Sequence, residues 1–292
     1  MPELIYGRHA VEEALKAGRR KIFRLLLAEQ SQSQLSERTP PPAPPDKIAR
    51  PGKPGRSMPP PDRRQQRERT GNDKPDRFEE LIALARQRGA QVERLPAQRL
   101  DLLTRVERHH QGVAAEVSAF PYISLIETVK LCKSAGKEAL VLILDSLQDP
   151  QNFGTLLRTS EAIGVTAIVM LDRRQVEVTP AVANASSGAV EHLEICLANN
   201  LSRAIDDLKE AGLWVYALQA ETDALTYTSA DLSGPVGLVV GSEGKGVGHL
   251  VRQHCDAAVA IPMRGKVESL NAAVAGSVVL YETLRQRLGG KR

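Results

Sequence analysis

Two polar loops near the carboxyl end of the chain carry residue types suited to holding a ligand. Residues 241–248 read GSEGKGVG and place Glu243 between glycines, after the apolar run 238–240. Residues 262–271 read PMRGKVESLN and follow the apolar run 257–261. Both runs have the length of strands, and each loop precedes a helical pattern. In open α/β sheets such loops bind ligands, because backbone N–H groups and helix N-termini converge there.

Each loop also has a plainer interpretation. The glycine loop is equally well a flexible turn. It is not a Walker A loop, since Lys245 is followed by Gly246 rather than by Ser or Thr, and it lacks the dinucleotide-binding spacing. Glu243 is either a solvated surface carboxylate or an acceptor presented by a tight turn. Ser269 is either the cap of the helix that follows or a cap with a second role in the site.

A third motif lies upstream, after the apolar run 140–145. Residues 152–158 read NFGTLLR, so that an Asn is followed six residues later by an Arg. If a helix begins at Asn152, Arg158 projects from about its second turn. Most arginines on helices are simply exposed to solvent, and Arg158 taken alone would be interpreted in that way.

The three motifs, in this order, resemble those of the SpoU, or TrmH, family within the SPOUT superfamily of methyltransferases, and the resemblance covers about residues 138–288. It implies an RNA ribose 2′-O-methyltransferase that uses S-adenosyl-L-methionine and needs no metal. The catalytic residues implied are Arg158, Asn152, Glu243, Ser269 and Asn271. The cofactor would be held by the backbone around Gly241, Ile261 and Leu270.

The reaction implied is an attack by a ribose hydroxyl on the methyl carbon of a sulfonium. We expect Arg158 nearest the reacting hydroxyl. Because a guanidinium is essentially always protonated, we expect it to orient the ribose or a phosphate and to stabilise the developing oxyanion, rather than to act as a general base. Asn152 would cap its helix and bond substrate or another site residue. Glu243 would anchor Arg158 or the substrate, and Ser269 with Asn271 would hold the loop 262–271 and the target nucleotide.

The elements that position these motifs alternate between strand and helix. The pattern predicts strands over 140–145, 167–171, 193–198 and 214–220 besides the two runs already named. Helices are predicted over 153–163 and 200–211 and after the last loop, with a small-residue segment over 180–190. Such alternation predicts an α/β fold, a mostly parallel sheet with helices on both faces. A deep trefoil knot at the carboxyl end is implied by the resemblance alone.

The first 120 residues form a smaller α/β unit ahead of the predicted catalytic domain. Helices are predicted over 7–17, from Arg77 to Gly89 and over 97–106, with strands over 22–28, around Val92 and over 112–117. This unit, closed by HHQGVAAEV, resembles the L30e-like RNA substrate-binding domain of the same family. The expected organisation is therefore a substrate-binding domain over 1–120, a linker over 121–137 and a catalytic domain over 138–292.

A proline-rich segment interrupts the smaller unit. Residues 31–76 contain eleven of the 18 prolines and ten Lys or Arg. With so few large apolar side chains, the segment cannot bury enough surface to offset the entropy of ordering, and we predict disorder. It is either a weak, salt-sensitive contact with RNA or a solvated spacer.

Charge and composition narrow the class of protein. Residues 1–120 hold 23 Lys and Arg against 16 Asp and Glu, whereas the rest of the chain holds 16 against 19. A basic module attached to a neutral or acidic one is typical of a protein that grips RNA beside a small-molecule site. The longest apolar run is too short to span a membrane, and the amino terminus is charged, so we expect no membrane partner and a cytoplasmic protein. The three cysteines lack a CxxC pair, so we expect them to pack in the core.

The last helix has many small residues, which permit close approach within one core or across a subunit boundary: Ala272, Ala273, Ala275, Gly276 and Ser277. Since the family resemblance implies dimers with shared sites, we expect a homodimer. The resemblance is greatest to enzymes that methylate guanosine in 23S rRNA. Ribose methylation of tRNA is the nearest alternative, and a non-catalytic RNA-binding or ribosome assembly factor is the alternative from another class. A small-molecule binding protein would leave the basic first unit unexplained.

Overall fold

The computed structural model describes residues 2–29, 77–107, 109–173, 177–221, 223–267 and 269–289 of the 292-residue chain. The segment predicted to be disordered, 31–76, lies outside the described residues. Within them the backbone forms a four-stranded sheet followed by a seven-stranded sheet.

The smaller sheet has the strand order β1-β4-β2-β3. Its strands are β1 (Glu3–Tyr6), β2 (Ile22–Ala28), β3 (Gln91–Leu95) and β4 (Val113–Val117). Its helices are α1 (Arg8–Ala17), α2 (Arg77–Gln87) and α3 (Ala97–Thr104). Strand β2 pairs parallel with β3 and antiparallel with β4. The prediction missed β1, a four-residue strand that pairs with β4, and it extended α3 too far, because Arg105 takes a left-handed conformation (φ 56°) that ends the helix.

The larger sheet has the order β7-β6-β5-β10-β8-β11-β9, and the pairings between its strands are parallel. Its strands are β5 (Leu140–Asp145), β6 (Ala167–Leu171), β7 (Ile195–Ala198), β8 (Trp214–Leu218), β9 (Leu225–Thr226), β10 (Val236–Gly241) and β11 (Ala257–Ala260). The helices along this part of the chain are α4 (Leu125–Ala135), α5 (Pro150–Ile163), α6 (Pro180–Ala185), α7 (Leu201–Glu210), α8 (His249–His254) and α9 (Ala272–Gly289). The predicted mostly parallel α/β sheet is confirmed.

The central strands β5 and β10 are buried along their whole length. Alternate residues of β5 belong to different apolar clusters: Leu142 packs on the side of α5 and α9, and Ile143 on the side of α7. A strand buried on both faces reads as a continuous apolar run, and this is the pattern that made these strands predictable.

Two boundaries differ from the prediction for identifiable reasons. Helix α5 begins at Pro150 rather than at residue 152 or 153, because Pro suits the first helical turn and Asp149 Oδ1 accepts a hydrogen bond from Gln151 N at 3.1 Å. The stretch 121–137, whose role as a linker stays a prediction, contains helix α4, and a capping box between Ser124 and Glu127 fixes the start of that helix. Strand β7 begins at Ile195, because the preceding residues Ala189–His192 form a 3₁₀ turn.

The two sheets share one apolar core. Ile5 and Leu15 of the smaller unit belong to the same cluster of buried residues as Leu142 and Leu156 of the larger one. Arg20 and Glu191 form a buried ion pair across this junction, with 3.3 Å between Nη1 and Oε1, and each side chain is only 1% exposed. Burial raises the pKa of the Glu191 carboxyl, against the opposing charge of Arg20. The smaller unit thus packs directly against the larger one, through apolar side chains and a buried ion pair.

Candidate active site

A cavity of about 240 Å³ opens at the carboxyl ends of β8, β10 and β11. The two loops singled out in the sequence form its walls, together with the residues that follow β8. Among the residues that line it are Gln219, Gly241, Glu243, Ile261, Ser269 and Leu270. Neighbouring parallel strands end at the same edge of a sheet, which brings these distant segments together.

The glycine loop folds back on itself as a tight hairpin. Ser242 N donates to Gly246 O at 3.1 Å, and Gly246 N donates to Ser242 O at 2.9 Å. A Cβ atom on Gly241 would lie 2.1 Å from the carbonyl carbon of Gly246. Since such a contact is impossible, position 241 requires glycine for the hairpin to close against the strand.

Asp145, the last residue of β5, ties the exit of this loop to the neighbouring strand. Its Oδ2 accepts a hydrogen bond from Gly248 N at 2.7 Å, and its Oδ1 accepts one from Ser146 Oγ at 3.0 Å. Asp145 is 6% exposed, so these bonds offset the cost of burying its polar group.

The upstream motif, residues 152–158, and the loop 262–271 meet directly. Asn271 Nδ2 donates to Asn152 Oδ1 at 2.9 Å. Asn271 Oδ1 accepts from Ala273 N at 2.9 Å and from Val274 N at 3.2 Å, so this residue caps α9. Asn152 is buried inside the first turn of α5. The caps predicted for Ser269 and Asn152 are therefore wrong, because Asn271 and Asp149 occupy those positions.

Arg158 lies on α5 outside this cavity, in a cleft of about 360 Å³ between the larger unit and α1. Its Nη1 donates to Ser187 Oγ at 3.2 Å, and the side chain is otherwise exposed. Within the described part of the chain no carboxylate forms an ion pair with it, so the contact expected with Glu243 is not made inside one chain. Glu243 and Ser269 are exposed residues on the wall of the cavity.

Gln219 is a cavity residue that the sequence did not single out. It follows the last residue of β8, and its Oε1 atom is buried without a hydrogen-bond partner among the described residues. An unpaired buried acceptor is unfavourable unless a bound molecule supplies a donor. No sequence signal marks it, because a single Gln after an apolar run has no motif around it.

Two searches over the described residues were negative. They contain no group of three or more His, Cys, Asp or Glu placed to hold a metal ion. No helix among them is both long enough and apolar enough to cross a membrane.

Two protein families match the parts of the chain that carry the three motifs and the two sheets. The SpoU rRNA Methylase family matches residues 139–281, and the family of RNA 2′-O ribose methyltransferase substrate-binding domains matches residues 4–38 and 69–123. The matched residues include the three motifs and both sheets. The chain belongs to the SpoU rRNA methylase family. It is accordingly an RNA ribose 2′-O-methyltransferase whose substrate-binding match skips residues 39–68, inside the proline-rich segment.

Relatives of this SpoU methylase cover most of its length. YacO of Bacillus subtilis, assigned to the TrmH family tRNA/rRNA methyltransferases, is 40% identical over 209 residues, which are 72% of this chain and 83% of YacO. The 23S rRNA (guanosine-2′-O-)-methyltransferase RlmB of Xanthomonas campestris is 44% identical over 213 residues, 73% of this chain and 85% of that protein.

A solved structure shows the same fold. The SpoU methyltransferase AviRb from Streptomyces viridochromogenes, crystallised with its cofactor AdoMet, aligns with a TM-score of 0.71 and 19% identity, covering 99% of this chain and 92% of AviRb. At this identity the likeness concerns the fold.

Proposed function

We propose that this SpoU methylase transfers a methyl group from S-adenosyl-L-methionine to the ribose 2′-hydroxyl of a guanosine in 23S rRNA. The observation that carries the proposal is the convergence of all three motifs: two loops line one cavity, and the third motif is joined to them through Asn152 and Asn271. Such convergence of loop backbone and polar side chains is what a methyl transfer site requires.

The residues present fit the cofactor. Gly241, Ile261 and Leu270 line the cavity, and the absence of a side chain at Gly241 lets the loop close. Gln219 Oε1 is an unpaired acceptor in the same wall, suited to an amino or hydroxyl donor of the adenosine. When bound, S-adenosylmethionine supplies an electrophilic methyl carbon on a sulfonium. The protein has to hold the nucleotide in line with that carbon.

Arg158 is assigned to the RNA side of the reaction. Guanidinium groups in proteins are hydrogen-bond donors without an acceptor atom, so we assign Arg158 to donating hydrogen bonds and not to accepting the proton of the hydroxyl. We assign it to orienting the ribose or an adjacent phosphate and to stabilising the negative charge that develops on the oxygen. Glu243, Ser269 and Asn271 are assigned to the target nucleotide and to the loop that faces it.

We further propose that the enzyme is a homodimer. Within one chain Arg158 opens into the cleft beside α1 rather than into the cavity, so a second copy is needed to bring the two together. One side of α9 is available for such an interface, since it exposes apolar side chains at Val274, Tyr281 and Leu288, and Leu270 in the loop before the helix is exposed as well. The small residues Ala273 and Gly276, by contrast, are buried within the chain, Gly276 against Leu156 and Val240.

The substrate assignment combines charge with relatives. The RlmB relative is a 23S rRNA guanosine methyltransferase, and the first 120 residues carry the basic excess that an RNA-binding unit needs. We assign residues 1–120 to RNA binding, 121–137 to the connection and 138–292 to catalysis, and we place the enzyme in the cytoplasm. Transfer RNA is the second candidate, because YacO is assigned to tRNA/rRNA methyltransferases.

The deciding experiment measures transfer of labelled methyl from S-adenosylmethionine to rRNA that lacks its modifications, with tRNA in parallel and with mapping of the product. We expect label on one guanosine ribose of 23S rRNA and none with Arg158→Ala, which should retain cofactor binding. Label only in tRNA would show that tRNA, and not 23S rRNA, is the substrate. Cofactor binding without transfer to any RNA or assembly particle would favour a non-catalytic assembly factor, and full activity of Arg158→Ala would overturn its assignment.

A further inference from the structure

The turn formed by residues 185–188, here called the contact turn, is wedged between α5 and α1. On the α5 side it lies so close to Gly154 that a Cβ atom there would sit 2.4 Å from Ala185 Cβ and 2.8 Å from Ser186 N. On the α1 side a Cβ atom on Gly188 would sit 2.7 Å from Glu13 Cβ and 2.8 Å from His9 O. Glycines at both contacts allow one turn to touch a helix of each unit.

The contact turn is held by its own hydrogen bonds. Ser187 N donates to Asn184 O at 2.8 Å, and Gly188 N donates to Ala183 O at 2.9 Å. The hydroxyl of Ser186 is buried and donates to Ala183 O at 3.1 Å. Ser187 adopts a left-handed conformation, with φ 53°. A residue other than glycine takes this conformation only where its surroundings impose it.

The imposed conformation points the Ser187 hydroxyl at Arg158, whose Nη1 lies 3.2 Å away. A free arginine side chain samples many rotamers, and a hydrogen bond near its end restricts them. The other groups that face the same cleft are His9, Glu13, Glu161 and His192. Of these, Glu13 is bound to Lys16 at 2.9 Å and to His192 at 2.8 Å. Ser187 is therefore the group in the described cleft that holds the guanidinium.

We propose that the RNA-binding unit positions Arg158 for methyl transfer through Ser187. Helix α1 fixes Gly188, Gly188 fixes the conformation of Ser187, and Ser187 fixes the guanidinium. Ser187 is a positioning residue and does not touch the substrate. The inference rests on the proposed function, since it assumes that Arg158 acts on RNA; it adds that seating of the RNA-binding unit on the catalytic unit sets the geometry of that arginine.

The test compares three substitutions at one position. Ser187→Gly and Ser187→Ala remove the hydroxyl, and Gly also suits a left-handed backbone. Ser187→Asn tolerates the left-handed conformation and restores an acceptor oxygen. We expect kcat to fall roughly tenfold in the Gly and Ala variants, with the Kd for S-adenosylmethionine, the KM for RNA and the Tm unchanged. The Asn variant should recover most of the loss. Ser134→Ala, at an exposed site on α4, is the matched control.

A second measurement tests the link to α1. Gly188→Ala pushes Glu13 and the contact turn apart, so it should lower kcat by a similar factor. Because both changes act through the same arginine, the double variant Ser187→Gly/Gly188→Ala should lose no more than the worse single variant. If the losses of kcat in the two single variants multiply in the double variant, the link through Ser187 is overturned.

The outcomes separate this inference from the proposed function. A wild-type enzyme that transfers no methyl to any RNA contradicts the proposed function. An active wild type with an equally active Ser187→Gly variant overturns the inference alone. An Asn variant as impaired as the Gly variant does the same, because it shows that the hydroxyl is not acting as an acceptor. If Gly188→Ala fails to fold, the three Ser187 variants decide the question by themselves.

Discussion

Asn271 Nδ2 donates a hydrogen bond to Asn152 Oδ1 across 2.9 Å, although the two residues are 119 positions apart in the chain. The bond joins the first turn of α5 to the cap of α9 and closes the site between them. Asn271 therefore serves two purposes, since its other amide atom caps α9 through Ala273 and Val274. The two roles can be tested separately by a substitution that removes the Nδ2 donor and keeps the capping oxygen.

Asn271→Asp keeps the capping oxygen and loses the donor to Asn152, whereas Asn271→Ala loses both. We expect Asn271→Ala to lower the free energy of unfolding by about 1–2 kcal/mol and Asn271→Asp by less, since a cap is worth about 1 kcal/mol. Both should lower methyl transfer. The measurement is denaturant unfolding combined with turnover, in a double-mutant cycle with Asn152→Ala. Equal stability of the Ala and Asp variants would contradict the capping role.

Gln219 should contribute to cofactor affinity. Replacing it with Leu removes the unpaired Oε1 acceptor, so we expect the Kd for S-adenosylmethionine to rise about fivefold, which corresponds to a net hydrogen bond of about 1 kcal/mol. Calorimetric titration measures this without RNA. Gln253→Leu, an exposed site on α8 outside the cavity lining, is the control. An unchanged Kd in Gln219→Leu would show that the atom does not meet the cofactor.

Gly241→Ala should open the glycine loop. The added Cβ meets the backbone of Gly246 at 2.1 Å, and backbone cannot swing aside as a side chain can. We expect a loss of stability of roughly 3 kcal/mol, near the upper end for overpacked sites, and loss of cofactor binding. Gly234→Ala is the matched control, because beyond its two chain neighbours no atom of the described residues lies within 4 Å of its added Cβ. Thermal unfolding and cofactor titration of the pair decide the matter, and a Gly241→Ala variant that binds normally would refute the steric account.

Arg20 should contribute more to the free energy of unfolding than Arg24, which lies nearby in β2. Both are paired with two carboxylates, but the Arg20 side chain is 1% exposed and that of Arg24 is 40% exposed. Removing one partner of a buried pair leaves an uncompensated charge, so Arg20→Met should cost about 3–5 kcal/mol. Arg24→Met should cost about 1 kcal/mol or less. Adding Glu191→Gln to Arg20→Met should recover part of the loss; similar losses in the two single variants would contradict this account.

The three cysteines should be unreactive in the folded protein. All three are buried, and burial raises the pKa of Cys132 to about 11 and that of Cys255 to about 12, and also raises the pKa of Cys196. At pH 8 the thiolate fraction of Cys132 is then about one in a thousand. An aromatic disulfide reagent should label no thiol in native protein and all three after unfolding. Ser134→Cys, at an exposed site, supplies the positive control, and rapid labelling of the wild type would show that the core opens.

The sequence pattern predicted the large sheet well, because its central strands are continuous apolar runs and its loops are marked by glycine. The pattern placed the glycine loop and the loop before α9 at strand ends, and the resemblance to the SpoU family pointed to five residues in or beside them that line the cavity: Gly241, Glu243, Ile261, Ser269 and Leu270. The knot stays a prediction.

The features that the sequence pattern missed depend on tertiary contacts. Ser187 matters because α1 packs on the contact turn, and Gln219 because its amide oxygen has no hydrogen-bond partner among the described residues. Strand β9 has two residues, too few for any periodic signal. Asn271, not Ser269, caps α9. The sequence could not distinguish them, because both residue types suit a cap and spacing alone does not separate positions two apart.

Strands β2 and β3 pair in parallel up to Ala28 and Leu95, and Glu29 N donates to Leu95 O at 2.8 Å. The chain thus leaves this sheet only after its last pairing is complete, and returns at α2. Because the entropy of closing a loop grows slowly with its length, segments of very different length can join these points at little cost to the sheet. An affinity tag inserted between β2 and α2 should therefore leave the pairing of β2 with β3 intact.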